Sequence, residues 1–395
     1  MPLIFICCYK GFKSCFPSGR IHGTYLWNRY LVIGLIISLT ILFVTPVRNL
    51  VTYPVLPASW RELSTLRILG LFFVKEKFVS LEAGSFVTCT GLEDKLTSIA
   101  WSSVVDQLDT LPAYDDGYFQ NVGARLESYA QLSLADKLQD LKKRYPNFMP
   151  PISGQEQREL RLTFKVMSMA LDLFNISYFL CEGSMLGAYR HHGFIPWDDD
   201  IDVCLNGSDW LRVKRILHCV PGFDVDTSNY MMYKFFWEGS RVQFREDRDA
   251  LPSHPSLTSP KVRVPYIDMF FFTEDSHYIW AMSAFKKHRI LYKKTTVFPL
   301  LWRPFEGSMA PVPRDYMRMC SGRQYDASVC VSRDFDHMNK RPLMPFFDYR
   351  SISCEPFEEI YPFVKRKYKQ LNGRDSVLET LQLSEAKIKE YEFFA

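Results

Sequence analysis

The run Trp197-Asp198-Asp199-Asp200-Ile201-Asp202-Val203 restricts what this chain can fold into more than any other stretch. Ile201 and Val203 alternate with acids, which is the two-residue period of a strand with one buried face. On such a strand Asp198, Asp200 and Asp202 project to one side, and Asp199 and Ile201 to the other. Like charges crowded on one face repel unless a divalent cation neutralises them, and carboxylate oxygens are hard ligands that suit Mg²⁺ or Mn²⁺. A merely solvated acidic turn after Pro196 has no use for the apolar residues interleaved here.

Upstream, Tyr178 to Cys181 reads as an apolar strand running into Gly183 and Ser184, with a helix beginning near Ser184. A glycine lets backbone N–H groups approach an anion without a Cβ in the way, and a helix N-terminus offers donors to phosphate oxygens. Gly183 and Ser184 are therefore the expected diphosphate cradle, and Arg190, further along that helix, is a candidate phosphate clamp. A two-metal site wants a third carboxylate from a neighbouring strand. Asp268 is the first choice, a lone acid in Tyr266-Ile267-Asp268-Met269-Phe270-Phe271-Phe272, because burying an isolated carboxylate is unfavourable unless it is paired or metal-bound. Asp224 and Asp226 are the alternatives. With Asp200, Asp202 and Asp268 as metal ligands, Asp198 is left to accept a proton or to orient them.

The segments Gly183-Ser184-Met185-Leu186-Gly187-Ala188-Tyr189-Arg190 and Gly193-Phe194-Ile195-Pro196-Trp197-Asp198-Asp199-Asp200-Ile201-Asp202 together resemble the signature of the LicD family, which takes in bacterial phosphocholine transferases, fukutin and fukutin-related protein. The likeness is dense there and looser to about Pro313. It implies a nucleotidyltransferase fold and transfer of a phosphorylated alcohol from a CDP-activated donor to a glycan hydroxyl, with release of CMP. The chain departs from the family pattern at Glu182, where a small residue is common, and in the His191-His192 pair. Two other classes compete: a luminal Asp-x-Asp glycosyltransferase using a sugar nucleotide, and a catalytically silent glycan-binding or scaffold protein on the same fold.

With 395 residues, 47% hydrophobic and 23% charged, the chain has material for one large core or two domains. A net charge of +4 without a basic stripe argues against nucleic acid as a partner. The expected organisation is a basic cytosolic tail over residues 1–29, a transmembrane signal anchor over 30–47, a luminal stem region over 48–154 and a catalytic domain over 155–395. The positive charge before the anchor predicts a single-pass type II protein of the Golgi or endoplasmic reticulum membrane. The stem contains an amphipathic helix from Ala124 to Tyr145, which suits packing on its own domain or pairing between two copies of the chain. Pro146, Pro150 and Pro151 end it.

The fold class expected of the catalytic domain is α+β, a mixed sheet with flanking helices. A helix is predicted over Glu156 to Phe174 and another over Ser208 to Val220, capped by Ser208 or Asp209. Strands are predicted at Phe223 to Asp226, Met232 to Trp237, Arg241 to Arg245 and Lys261 to Thr273. Glu379 to Phe394 reads as a closing helix. Lys286, Lys287, Arg289, Lys293 and Lys294 form a basic run expected on a solvated face. Cys320, Cys330, His337 and Cys354 lack the close pairs of common zinc sites, and luminal disulfides are the alternative. Seven cysteines beyond the anchor leave at least one outside any intramolecular pair. Asn175 and Asn206 stand in glycosylation sequons.

Overall fold

The structure is a computed structural model that describes residues 88–115, 117–118, 134–227, 232–242, 263–283, 290–320, 327–332, 335–336, 341–342, 350–371 and 374–394. The predicted cytosolic tail and signal anchor, the first part of the predicted stem helix and the basic run at 286–289 lie outside these residues. Among the described residues no helix is long and apolar enough to cross a membrane.

In chain order the principal elements are α1 (Leu134–Arg144), α2 (Gly154–Leu173), β1 (Tyr178–Leu180), α3 (Glu182–His191), β2 (Asp200–Asn206), α4 (Trp210–His218), β3 (Phe223–Asp226), β4 (Met232–Trp237), β5 (Tyr266–Glu274), β6 (Tyr278–Ala281) and β7 (Leu291–Lys293). They are followed by the hairpin β8 (Leu301–Phe305) and β9 (Ser308–Val312), then α5 (Tyr316–Cys320), β10 (Val329–Ser332), β11 (Arg350–Ser353), β12 (Phe363–Leu371), β13 (Arg374–Leu383) and β14 (Ala386–Phe394). The central sheet runs in the order β1-β2-β5-β4-β3, with β6 and β7 added along the far end of β5. Its β2–β5 pair is parallel and its other pairs are antiparallel, so the sheet is mixed and the class is α+β.

The two faces of this sheet have different fates, and the strand period explains why. Ile201, Val203 and Leu205 of β2, Ile267, Met269 and Phe271 of β5, and Tyr233 and Phe235 of β4 share one buried cluster with Leu160, Phe164, Met167, Ala170 and Leu171 of α2. The methionines of α2 fill core space. The intervening residues face the other way: Cys204, Phe270 and Phe272 meet Phe179 and Cys181 in a second cluster, while Asp200, Asp202 and Asp268 occupy the start of the same face. α2 begins on a capping box in which Ser153 Oγ accepts from Glu156 N and Glu156 Oε2 accepts from Ser153 N.

A third cluster lies beneath the loop that leads to the acids. Leu138, Leu141, Phe148, Met149, Ile195, Trp197, Phe357, Ile360, Tyr361 and Phe363 pack there around a disulfide between Cys330 and Cys354. That bond is the disulfide alternative to zinc at Cys330 and Cys354, because oxidised sulfurs are not thiolate ligands. A second disulfide joins Cys89 to Cys219, and Cys181, Cys204 and Cys320 are buried and outside any disulfide. Residues 88–115, sequence that was expected in the stem, contribute Leu96, Trp101 and Val104 to the core of the sheet and α2. The Cys330–Cys354 bond closes a segment whose ends are 24 residues apart. Replacing both by serine is expected to lower stability to chemical denaturation by about 3 kcal/mol.

Three local expectations need correction. Residues 379–394 are strands rather than a closing helix: β12, β13 and β14 form an antiparallel sheet in which Leu371 pairs with Arg374. That pairing leaves only Asn372-Gly373 for the connection, a dipeptide suited to two-residue hairpins. The helix expected over Ser208 to Val220 is a short 3-10 turn, Gly207–Asp209, followed by α4; Asn206 caps the turn, its side chain accepting from Ser208 N at 2.9 Å, while Asp209 takes the N-cap position of α4, as one of the two expected caps, without a side-chain capping hydrogen bond. The strand expected over Lys261 to Thr273 is interrupted, with Arg263–Val264 and β5 separated at Pro265.

Candidate active site

Register builds the site. β2 and β5 align so that Asp202 lies beside Asp268, and β4 aligns Lys234 on the opposite side of Asp268. Neighbouring strands are spaced by roughly 4.8 Å, so these three side chains share one face within contact range. Asp200, Asp202 and Asp268 each present a carboxylate oxygen within 4.8 Å of the other two. The structure thus brings together the three residues that the sequence singles out as a set. Asp202 and Asp268 are buried and Asp200 is half-buried.

The electrostatics of this set suit a cation. Burial pushes the Asp200 carboxyl well above the usual carboxylate range, and the charges of Asp202, Asp198 and Asp268 push the same way, with Lys234 opposing them. Three acids this close cannot all ionise comfortably without further positive charge. The donor chemistry, all carboxylate oxygens from rigid strands, fits a hard divalent cation. Lys234 supplies part of that charge. Its Nζ lies 2.6 Å from Asp268 Oδ1 and 3.6 Å from the centroid of the Tyr266 ring. Burial acts to lower the pKa of this ammonium, but the charge of Asp268 and the hydrogen bond to it prevail and hold it above its ordinary value. Lys234 was missed by sequence reasoning, although it is as isolated among aromatics in Met232-Tyr233-Lys234-Phe235-Phe236-Trp237 as Asp268 is in its own strand.

The acids before the strand behave differently from expectation. β2 begins at Asp200, so Asp198 and Asp199 belong to the turn and are free of strand alternation. Asp198, Asp199 and Asp200 also approach one another within 4.8 Å, and Asp199 N donates to Asp198 Oδ1 at 3.0 Å. Asp199 is therefore near the cluster rather than on the opposite face.

Gly183 and Ser184 lie inside the first turn of α3, which starts at Glu182 rather than near Ser184. A Cβ on Gly183 would sit 2.9 Å from Asp198 Oδ2 and 3.6 Å from Asp202 Oδ2, so only glycine lets this turn lie against the carboxylates without displacing them. Ser184 Oγ accepts from Asp202 N at 2.7 Å, which ties the helix start to the acidic strand. The first turn of a helix leaves N–H groups without intrahelical acceptors, and this one opens beside the carboxylates. Glu182, the departure from the family pattern, is buried at a left-handed φ of 45°.

Arg190 is not brought to the carboxylates. Its guanidinium is buried at the other end of α3, 5.2 Å from the Trp197 ring, with Nε donating to His191 Nε2 and Nη1 directed at Val329 O. His191 Nδ1 in turn pairs with Pro362 O at 2.7 Å. Burial, reinforced by the charge of Arg190, pushes the pKa of His191 far below the ordinary histidine value, so the ring is a neutral spacer. His192 Nε2 meets Glu379 Oε2 at 2.9 Å, and Glu379 Oε1 accepts from Arg366 Nε and from Tyr316 OH. Burial favours the neutral form of Glu379, but His192 and Arg366 outweigh it and keep the carboxyl below its usual range.

Two further residues hold the acidic run in place. Trp197 packs edge-on or tilted against Phe148, Phe357 and Tyr361, which anchors the residue immediately before Asp198. Glu306, at the β8–β9 turn, forms a buried ion pair with Arg161 and accepts from Phe194 N at 2.7 Å. A Cβ on Gly193 would lie 2.4 Å from Glu306 Oε1, so the turn closes on the carboxylate only with glycine there.

Comparison with known proteins points to the same stretch of sequence. The family described as LicD/FKTN/FKRP, nucleotidyltransferase domain, matches residues 175–315, from just before β1 to just after β9. Ribitol 5-phosphate transferase FKRP of Mus musculus is 27% identical over 165 residues, which is 41% of this chain and 30% of that protein. The Homo sapiens FKRP gives the same identity and coverage. Lipopolysaccharide cholinephosphotransferase LicD of Haemophilus influenzae is 54% identical over 39 residues, 10% of this chain and 15% of that protein. The chain thus spans under a third of the length of each of these relatives. Residues 175–315 carry a nucleotidyltransferase domain of the LicD type, the family that includes FKTN and FKRP.

Proposed function

We propose that this chain transfers a phosphorylated alcohol from a CDP-activated donor to a hydroxyl of a glycan or glycoconjugate, releasing CMP. The observation that carries the reading is the convergence of Asp200, Asp202 and Asp268, from two parallel strands, beside the glycine-bearing first turn of α3. The named relatives act on ribitol 5-phosphate and on a choline phosphate, so the shared chemistry is transfer of a phosphorylated alcohol. Asp200, Asp202 and Asp268 would hold Mg²⁺ or Mn²⁺. When bound, such a cation neutralises phosphate charge and lowers the pKa of a coordinated hydroxyl.

The chain's own residues supply the rest. The backbone of Gly183 and Ser184 faces the diphosphate, and strands β2 and β5 fix the ligand oxygens. The acceptor oxygen attacks the phosphorus that bears the alcohol, and the bond from that phosphorus to the oxygen of CMP breaks. Its electron pair leaves with CMP, and the acceptor proton passes to Asp198. The segment over residues 30–47 anchors the protein as a type II membrane protein in this reading, with the catalytic domain luminal.

The test uses the purified luminal part with Mn²⁺ and a panel of CDP-ribitol, CDP-choline and UDP- or GDP-sugars. A CDP-linked donor at a hundredfold excess over its Kd is expected to stabilise the fold by about 2.7 kcal/mol, read as a rise in melting temperature. CMP should then appear when a glycan acceptor is added. Stabilisation by sugar nucleotides alone would replace this reading with a glycosyltransferase, and no response to any nucleotide with a scaffold.

A further inference from the structure

We propose that Lys234 is the donor-binding cation of this site: paired with Asp268 in the free protein, it donates to one of the donor's phosphate oxygens once the donor is bound. The inference rests on the phosphotransferase reading and assigns the anion contact within it.

Lys234 reaches the acids from β4, the strand flanking β5 on the side away from β2. An ammonium carries three N–H donors. One meets Asp268 Oδ1 at 2.6 Å, and the ring face of Tyr266 lies against the ammonium at 3.6 Å. The side chain nevertheless keeps 20% of its exposure, whereas that of Asp268 keeps 10%. The side chain is therefore not sealed under the cluster, and one contact to Asp268 leaves its ammonium with donor capacity for an anion. Asp268 has two oxygens. With Oδ1 held by Lys234, Oδ2 remains for a metal cation, so the contact orients the carboxylate without consuming it.

Charge decides the second half of the role. Three ionised acids and one ammonium leave a deficit that one divalent cation balances. A diphosphate then brings new negative charge to a face where Lys234 is already positioned. A compact ammonium suits a phosphate approached from one side. Arg190, the cation that the sequence suggests for this task, is buried against Trp197 instead.

A pin for Asp268 alone and a phosphate ligand make different predictions for Lys234→Met. Titration calorimetry would measure Mn²⁺ without nucleotide, and CDP at saturating Mn²⁺. A lost charge-assisted hydrogen bond is worth ~1.5–3 kcal/mol, so CDP should bind at least ~10-fold more weakly. Mn²⁺ alone should bind as well as before or more tightly, because a neighbouring positive charge has been removed. Lys234→Arg should recover most of the CDP affinity. Parallel loss of Mn²⁺ and CDP binding would reduce Lys234 to a pin, and unchanged CDP binding would remove its role altogether.

A second measurement separates the phosphates from the base. Cytidine with Mn²⁺ should bind the wild-type protein and Lys234→Met equally well, whereas CDP with Mn²⁺ should not. An equal loss of cytidine and CDP binding in the variant would overturn the proposal. If the wild-type protein does not bind CDP with Mn²⁺ at all, the phosphotransferase reading itself fails. CDP binding that ignores Lys234 defeats only the present assignment.

Discussion

Asp202→Asn is expected to lower transfer by about a thousandfold or more, which corresponds to ~4 kcal/mol of lost transition-state stabilisation. Asparagine keeps the shape of the side chain, so the backbone bond from residue 202 N to Ser184 Oγ and the register of β2 on β5 should survive. What changes is one ligand charge. Among the described acids, Asp202 is the one that both pairs in register with Asp268 and lies within 4 Å of the Gly183 turn. Its removal therefore breaks the set at its centre. The same substitution should leave the metal-free protein at least as stable as the wild type, because Asp202 is the strongest of the neighbouring charges that disfavour ionised Asp200. CMP release and a melting curve on the same preparation check both halves. Transfer at more than roughly a tenth of the wild-type rate would remove the metal assignment.

Glu306→Ala is expected to destabilise the fold by ~3–5 kcal/mol, the usual result of leaving one partner of a buried ion pair uncompensated. Arg161 and Glu306 keep only 5% and 6% side-chain exposure. The Arg161 guanidinium also stacks 4.5 Å from the Phe194 ring, so it has no short route to water. The carboxylate does two jobs: it balances Arg161, and it accepts from Phe194 N in the turn that leads through Ile195 and Trp197 to Asp198. Glu306→Gln keeps an acceptor for the turn and should lose less. Arg161→Met combined with Glu306→Gln should recover part of the difference, because no charge is then stranded. Urea titration of the three variants checks this order, and a loss below about 1 kcal/mol for Glu306→Ala would show that the pair is solvated in practice.

The parts of the fold legible in the sequence were those fixed locally. Ile201 and Val203 between acids specify β2, the apolar run into Gly183 specifies β1 and the start of α3, and Asp268 is conspicuous because a lone carboxylate in an aromatic strand needs a reason. The same logic applied to Lys234 would have found it. What the sequence hid depends on distant partners. Arg190 follows the phosphate turn in sequence, but Val329, Cys354 and Pro362 meet that end of α3, contacts that no property of the helix itself foretells. Residues 379–394 fit a helical spacing as well as a strand, and the decision falls to the pairing of Arg366 with Glu379 across β12 and β13. Glu306 looks like an ordinary turn residue until Arg161 is seen beside it.

The region that matches the family stops at residue 315, yet His192, at the end of α3, is held by Glu379 from the last sheet. A recombinant fragment trimmed to the recognisable region would strip the brace from the turn that delivers Asp198. Substitutions at Arg366 or Glu379, far from any acid of the cluster in the sequence, should accordingly surface as poor yield and rapid degradation of the protein, not as an altered choice of substrate.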